Sequence, residues 1–240
     1  MAGFFYNLGR MIGPKLRKAN WVYHSLTGTE AEARRAEYAV GRDLAHALAG
    51  QMQADPDPAV GRWLDEFRDR LAPCVKGGHW RFAFRAVLWP EANAFALPGG
   101  FVFVTRELLR LCGGDADETA FLLAHEMAHV VHRHAIDRLM ANSVIGATLG
   151  RFGGRGLLRQ PLAGLAASLL NQGYSRDQEL EADAFGARLA ACAGFDPAAG
   201  VRLLGRLRTL AAEPPALGGY FSSHPAPEER IGRLGELLRR

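Results

Sequence analysis

Apolar residues recur along this chain at two periods, and the switches between them divide it into elements. Val40, Leu44, Leu48 and Met52 repeat at four-residue steps behind Thr29, which makes a capping box with Glu32, so a helix is expected over about residues 30 to 53. A second is expected where Asp57 as cap and Pro58 at the first helical position lead into Val60, Trp63, Leu64, Phe67 and Leu71, stopped by Pro73. The period then drops to two. After Gly77-Gly78, Trp80, Phe82, Phe84, Ala86 and Leu88 alternate with Arg81, Ala83 and Arg85, the pattern of a half-buried strand. Asn93 to Leu97 and Phe101 to Val104 are short β-prone runs around Pro98-Gly99-Gly100, which predicts a hairpin.

Helical spacing returns after the hairpin. Thr105 caps a short helix to Cys112, ended by Gly113-Gly114, and Asp115, Asp117 and Glu118 suit the positive end of a helix running to His134 or beyond. Another is expected from Asp177 to Cys192 before Gly194, one from Asp196-Pro197 to Leu210 before Pro214-Pro215, and a last after Pro227. The stretch 142–173 is rich in Gly, Ala and Leu, and no acid occurs between Asp137 and Asp177. Its charges are Arg151, Arg155 and Arg159. A lid over a cleft, an amphipathic segment on a membrane or a loosely packed helical connection would each have this composition. Helices around a small sheet give an α+β class, mainly helical, with the hairpin beside the helix that carries the chemistry. We expect one domain over residues 1–240, with N-terminal helices in 1–75 and the catalytic core in 76–240.

Composition narrows the functional classes. With 48% hydrophobic residues in 240, the chain can bury a substantial core. Its formal charge of +4 is modest, and the basic residues neither cluster among aromatics nor form a recognisable module, which excludes nucleic acid as the expected partner. Weak attraction to anionic lipid fits better. Cys74, Cys112 and Cys192 are odd in number and widely spaced, so they read as small buried apolar groups rather than a disulfide framework or a thiolate zinc site. The opening residues place no positive charge before the apolar run, unlike a secretory signal, and no run of about 18 apolar residues occurs. The expected address is the cytoplasm, with a peripheral position at a membrane through 142–173.

The candidate chemistry lies on the acid-started helix. His125-Glu126-Met127-Ala128-His129 sets two imidazoles one turn apart on one helical face, prearranged to bind a metal. Glu126 lies about 100° round the helix, placed to hold a water at that metal without ligating it. Zinc would lower the pKa of such a water to about 7 and polarise a carbonyl, with Glu126 taking the proton and passing it to a leaving amine. A catalytic zinc needs a third protein ligand. Glu179 and Asp183 are again four apart on one face, Glu179 as the ligand and Asp183 as acceptor of a ligating histidine's free N–H, while Glu181 points elsewhere. As a solvated face the same acids would be ordinary. His132 falls near His125 on the wheel and is the rival ligand; His134 faces away.

Four blocks in order carry a further signal: Asn93 to Gly100, His125 to His129, Ser175-Arg176 with Glu179 to Asp183, and Ser223-His224-Pro225 leading to Glu229-Arg230. Over about residues 80 to 235 they resemble the membrane-linked gluzincin metallopeptidases, which include HtpX-type, BepA-type, Oma-type and CAAX prenyl proteases. The resemblance implies a zincin-like fold, one Zn2+ per chain, and an endopeptidase of protein quality control acting on peptide, unfolded or membrane-protein substrates. It also implies Glu179 as zinc ligand, Asp183 as its buttress, and a cleft beside Asn93, Ala94 and Phe95 where an extended substrate adds as a strand. His224 matches a family position near the metal. There it would donate a hydrogen bond to the oxyanion or take the open coordination position and hold the enzyme latent. The competing expectation is a non-catalytic module that grips peptide or membrane protein, its site closed by His224 or by 142–173.

Overall fold

A computed structural model of the chain describes residues 29–77, 80–138, 173–211, 218–225 and 227–239. Helix α1 spans Glu30–Ala49, with the capping box of Thr29 and Glu32 in place. It stops short of the expected 53 because Gly50 follows and Gln53–Ala54 (β1) joins the sheet. Helix α2, Pro58–Leu71, starts where Asp57 accepts a hydrogen bond from the Ala59 N–H, and it buries Leu64, Phe67 and Leu71. Strands β2 (Ala83–Leu88), β3 (Ala94–Leu97) and β4 (Phe101–Thr105) lead into α3 (Arg106–Leu111) and α4 (Ala116–Val131). Beyond 173 come α5 (Arg176–Cys192), α6 (Ala199–Ala211), α7 (Gly218–Ser223) and α8 (Pro227–Leu238). The lid or membrane expectation for 142–173 lies, except for Gly173, outside the described residues.

The sheet runs β1-β2-β4-β3, with β2 parallel to β4 and both outer pairs antiparallel. The hairpin is in register, Ala94 opposite Val104 and Leu97 opposite Phe101. Its turn needs Gly99 and Gly100 at φ 81° and 100°, and α1 crosses it so closely that a Cβ on Gly41 would lie 1.7 Å from the Pro98 carbonyl oxygen. Period two then divides the strand residues between two cores. Ala94, Ala96, Val102 and Val104 face α4, with Phe121, Leu122, Leu123 and Met127, while Phe95, Leu97 and Phe103 face α1, with Val40, Leu44 and Leu48. Phe95 stacks on Phe103 at 5.3 Å, a pairing worth about 0.5–1.5 kcal/mol beyond its buried area. The α+β class, mainly helical with a small sheet beside α4, is thus the architecture found.

Two expectations are corrected. Cys74 and Cys192 form a disulfide, with Cα atoms 6.0 Å apart, where the sequence suggested independent buried thiols. Their sequence separation of 118 hides the pairing; it arises because the 3-10 turn after α2 meets the C-terminal end of α5. Cys112 is the buried apolar group expected, its thiol pushed up to about 12 by burial. The second correction concerns α4, which stops at Val131 rather than continuing to His134. His132 is its C-cap, Arg133 takes a left-handed conformation at φ 62°, and a new helical turn starts at 134. Arg133 reaches back to pair with the buried carboxylate of Glu37 on α1, which anchors the break.

Candidate metal centre

Helix α4 is buried on nearly every side from Glu118 to Val130, so its polar residues enter the interior with it. Asp115 caps it by accepting from the Asp117 and Glu118 N–H groups. Helix α5 starts at a second capping box, Ser175 with Gln178, and lies against α4 with backbone close to backbone. At the crossing, a Cβ on Gly186 would sit 3.1 Å from the His125 nitrogen and 3.2 Å from its Cα. That close approach brings Glu179 and Asp183 of α5 onto the histidines of α4. A third side chain comes from the end of α7, where the His224 N–H donates to the Tyr220 carbonyl and the Tyr174 N–H to that of Ser223.

These elements converge on one buried cluster of donor atoms from His125, His129, Glu179 and His224. His125 Nε2 is 3.0 Å from His129 Nε2 and 3.6 Å from Glu179 Oε2, and His129 Nε2 is 3.3 Å from Glu179 Oε1. His224 Nδ1 lies 3.4 Å from His125 Nε2 and 3.1 Å from Glu179 Oε1. A tetrahedral zinc with bonds of 2.0–2.1 Å has edges of about 3.3 Å, near the 3.0 to 3.6 Å of these contacts; one donor atom from each of the four residues lies within 4.8 Å of the others. Glu126, Glu179 and Asp183 are buried together, with the Arg230 guanidinium against the last two and Arg138 within electrostatic reach of Glu126.

The rings of the cluster have partners behind them. Asp183 Oδ1 lies 2.9 Å from His125 Nδ1, a contact that favours the proton on that nitrogen and a lone pair on Nε2. The Arg230 guanidinium donates to both oxygens of Asp183, at 2.7 and 2.8 Å, and reaches Glu179 Oε2 at 2.6 Å. Tyr174 stacks on His129 at 3.6 Å and Tyr220 on His224 at 4.7 Å. Burial resists ionisation of Glu179, but His224 and Arg230 outweigh it and hold the carboxyl well below its usual range. For His224 the balance is opposite in sign: burial is overcome by Glu179 and Glu126, and the imidazole is raised. Burial drives His129 well below its ordinary value and pushes the Glu126 carboxyl up. Among the described residues neither Glu126 oxygen has a hydrogen-bond partner; His224 Nε2 stands 3.5 Å from one of them.

The structure brings together His125, His129, Glu179, Glu126, Asp183 and His224. Asn93 and Ala94 also border the cluster, through Ser223 Oγ donating to Asn93 Oδ1 at 3.2 Å and His224 Nε2 donating to the Ala94 carbonyl at 3.4 Å. The Phe95 side chain points into the opposite core. His132, the rival ligand, is outside: its Nδ1 is 3.1 Å from Glu181 and its ring meets Phe185. His134 does not face away. The break at Arg133 turns it back until its Nδ1 is 2.9 Å from His129 Nδ1. Arg230 was the residue without an assigned role, although a signal existed: it sits four residues before Leu234, on the stripe of α8 that is buried.

Known proteins give the same picture. The model of peptidase family M48 matches residues 58–238. The mitochondrial metalloendopeptidase OMA1 of Schizosaccharomyces pombe is 36% identical over 154 residues, 62% of this chain and 44% of that protein. A putative β-barrel assembly-enhancing protease of Vibrio cholerae is 35% identical over 199 residues, 76% of this chain and 40% of its own length. Its Escherichia coli counterpart is 29% identical over 210 residues, 81% and 42%. The chain therefore spans less than half the length of these relatives. A family match over three-quarters of the chain, together with the histidines and carboxylates gathered on α4 and α5, places the protein in peptidase family M48.

Proposed function

We propose that this chain is a zinc-dependent endopeptidase of protein quality control, with one Zn2+ per chain held by His125, His129 and Glu179. The convergence of their donor atoms in one buried cluster carries the reading. When bound, the zinc supplies a Lewis acid that acidifies water and polarises the scissile carbonyl. Glu126 acts as general base and then general acid; its two oxygens are unengaged, and burial raises its carboxyl toward the range where both tasks are efficient. Asp183 holds His125 in the binding tautomer. An extended substrate adds to the outer edge of β3 along Asn93, Ala94 and Phe95, since β3 ends the sheet and packs against α4.

His224 gives the resting state a specific character. Its Nδ1 fills the fourth corner of the donor set, and its Nε2 holds the Ala94 carbonyl at the head of the substrate strand. One side chain thus obstructs both the metal's open position and the strand edge, which supports latency. After release the same imidazole, raised by its acidic neighbours, is placed to donate to an oxyanion. A purely non-catalytic module leaves the buried, unpartnered Glu126 without a role.

The relatives named as metalloendopeptidase and assembly-enhancing protease support protein substrates. Among the described residues no helix is long and apolar enough to cross a membrane. Peripheral contact through 142–173 rests on composition, and flotation with anionic liposomes tests it: deleting that segment should abolish co-flotation. The Cys74–Cys192 disulfide favours an oxidising compartment over the cytoplasm. The central test is metal content with cleavage of unfolded casein. One zinc per chain and chelator-sensitive fragmentation are expected. Absence of zinc would sink the reading.

A further inference from the structure

The two ligating histidines of α4 are backed differently. His125 has Asp183 directly behind it, whereas among the described residues no carboxylate reaches His129 Nδ1, which meets His134 Nδ1 at 2.9 Å. The far nitrogen of His134, Nε2, lies 3.1 Å from Glu181 Oε2, and the other oxygen of Glu181 is 3.1 Å from His132 Nδ1. We infer that Glu181 and His134 form a relay that fixes the tautomer of His129 and presents its Nε2 lone pair to the metal.

The assignment follows from donor and acceptor roles. A carboxylate only accepts, so His134 Nε2 carries the proton that points at Glu181, and neutral His134 then has a bare Nδ1. That nitrogen can only accept, so His129 Nδ1 must donate to it. His129 Nε2 is left without a hydrogen, 3.0 Å from the equally bare Nε2 of His125. Two lone pairs facing each other in a dry site repel unless a cation lies between them. The relay therefore makes a pair of ligands from what would otherwise be an N–H···N hydrogen bond between the two rings. The opposite tautomer would aim a proton at the metal position. Glu181 is half exposed and its carboxylate is steadied by His132, so the relay starts at the surface and ends in the interior. In this scheme His134 and Glu181 are positioning residues, and the left-handed Arg133 is what turns His134 onto His129.

The inference rests on the zinc reading above, and its test separates the two. Zinc affinity is measured by competition with a chromogenic chelator for the native chain, His134→Leu, His134→Gln and Glu181→Ala, alongside the melting temperature of each metal-free protein. His134→Leu should bind zinc about 10- to 100-fold more weakly, the range typical when the group behind a ligand is lost. His134→Gln, whose amide oxygen accepts from His129 Nδ1, should recover most of that loss. Glu181→Ala should fall between them with its metal-free melting temperature unchanged, and it decides the matter if His134→Leu does not fold. A merely structural histidine would move metal-free stability and leave affinity alone. Native affinity in both His134→Leu and Glu181→Ala, or a Gln variant no better than Leu, would overturn the relay. A native chain that binds no zinc would overturn the metal centre itself.

Discussion

Replacing Glu126 by Gln should lower casein cleavage by about 10²- to 10⁴-fold, a loss of roughly 3–5 kcal/mol of transition-state stabilisation, while the zinc content stays at that of the native chain. Three observations separate the two effects. Glu126 is buried, so its substitution exposes nothing new; among the described residues its oxygens have no hydrogen-bond partner, so folding loses no hydrogen bond; and it is not among the donors that surround the metal position. The measurement is steady-state cleavage with metal analysis on the same preparations. Equal cleavage by Glu126→Gln and the native chain would mean that another group moves the proton.

Arg230→Leu should cost about 3–5 kcal/mol in the metal-free protein, because removing one partner strands the buried charges it neutralised. For a chain of this size that corresponds to a fall of roughly 10 °C in melting temperature. Arg230 is 1% exposed and satisfies Asp183 with a fork of two hydrogen bonds while pairing with Glu179, so a single side chain supports the proposed third ligand and the carboxylate behind His125. Arg230→Lys keeps the charge but not the fork, and should lie between. Melting in the presence of chelator checks this. The pH dependence has a definite sign: Asp183 and Glu179 are both held below their ordinary values despite burial, chiefly by Arg230 at Asp183 and by His224 and Arg230 at Glu179. Their contribution to stability is therefore in place above about pH 4 and is lost as the pH falls through their folded values. A melting temperature in Arg230→Leu equal to that of the native chain would show that the acids are not held as anions.

What was legible in the sequence was whatever a single regular helix determines. His125, Glu126 and His129 on one wheel and Glu179 and Asp183 on another needed only a period of 3.6, and the hairpin needed only alternation around Pro98-Gly99-Gly100. His134 was misread because the wheel assumes an unbroken helix. Nothing in Val131-His132-Arg133 announces a left-handed residue, and an arginine there is held by a tertiary partner, Glu37, distant in sequence. The disulfide escaped for the same reason, since pairing across 118 residues is a property of how α2 and α5 pack rather than of spacing. Helix α7 has no apolar stripe to reveal it. Its contribution is a stacked Tyr220 and a carbonyl for the His224 N–H, both visible only once the site is assembled.

The crosslink between Cys74 and Cys192 makes the metal centre topologically redundant. His125, His129 and Glu179 all lie on the covalent ring that it closes, and His224 follows on the tail. A ring cut once is still one molecule. A single backbone scission anywhere between the two cysteines, by another protease or by a second copy of this one, would thus leave both helices that hold the ligands joined through sulfur. Such a nicked chain would run intact on a non-reducing gel and separate into two pieces only on reduction, so its integrity would be governed by the redox state of its surroundings as much as by its sequence.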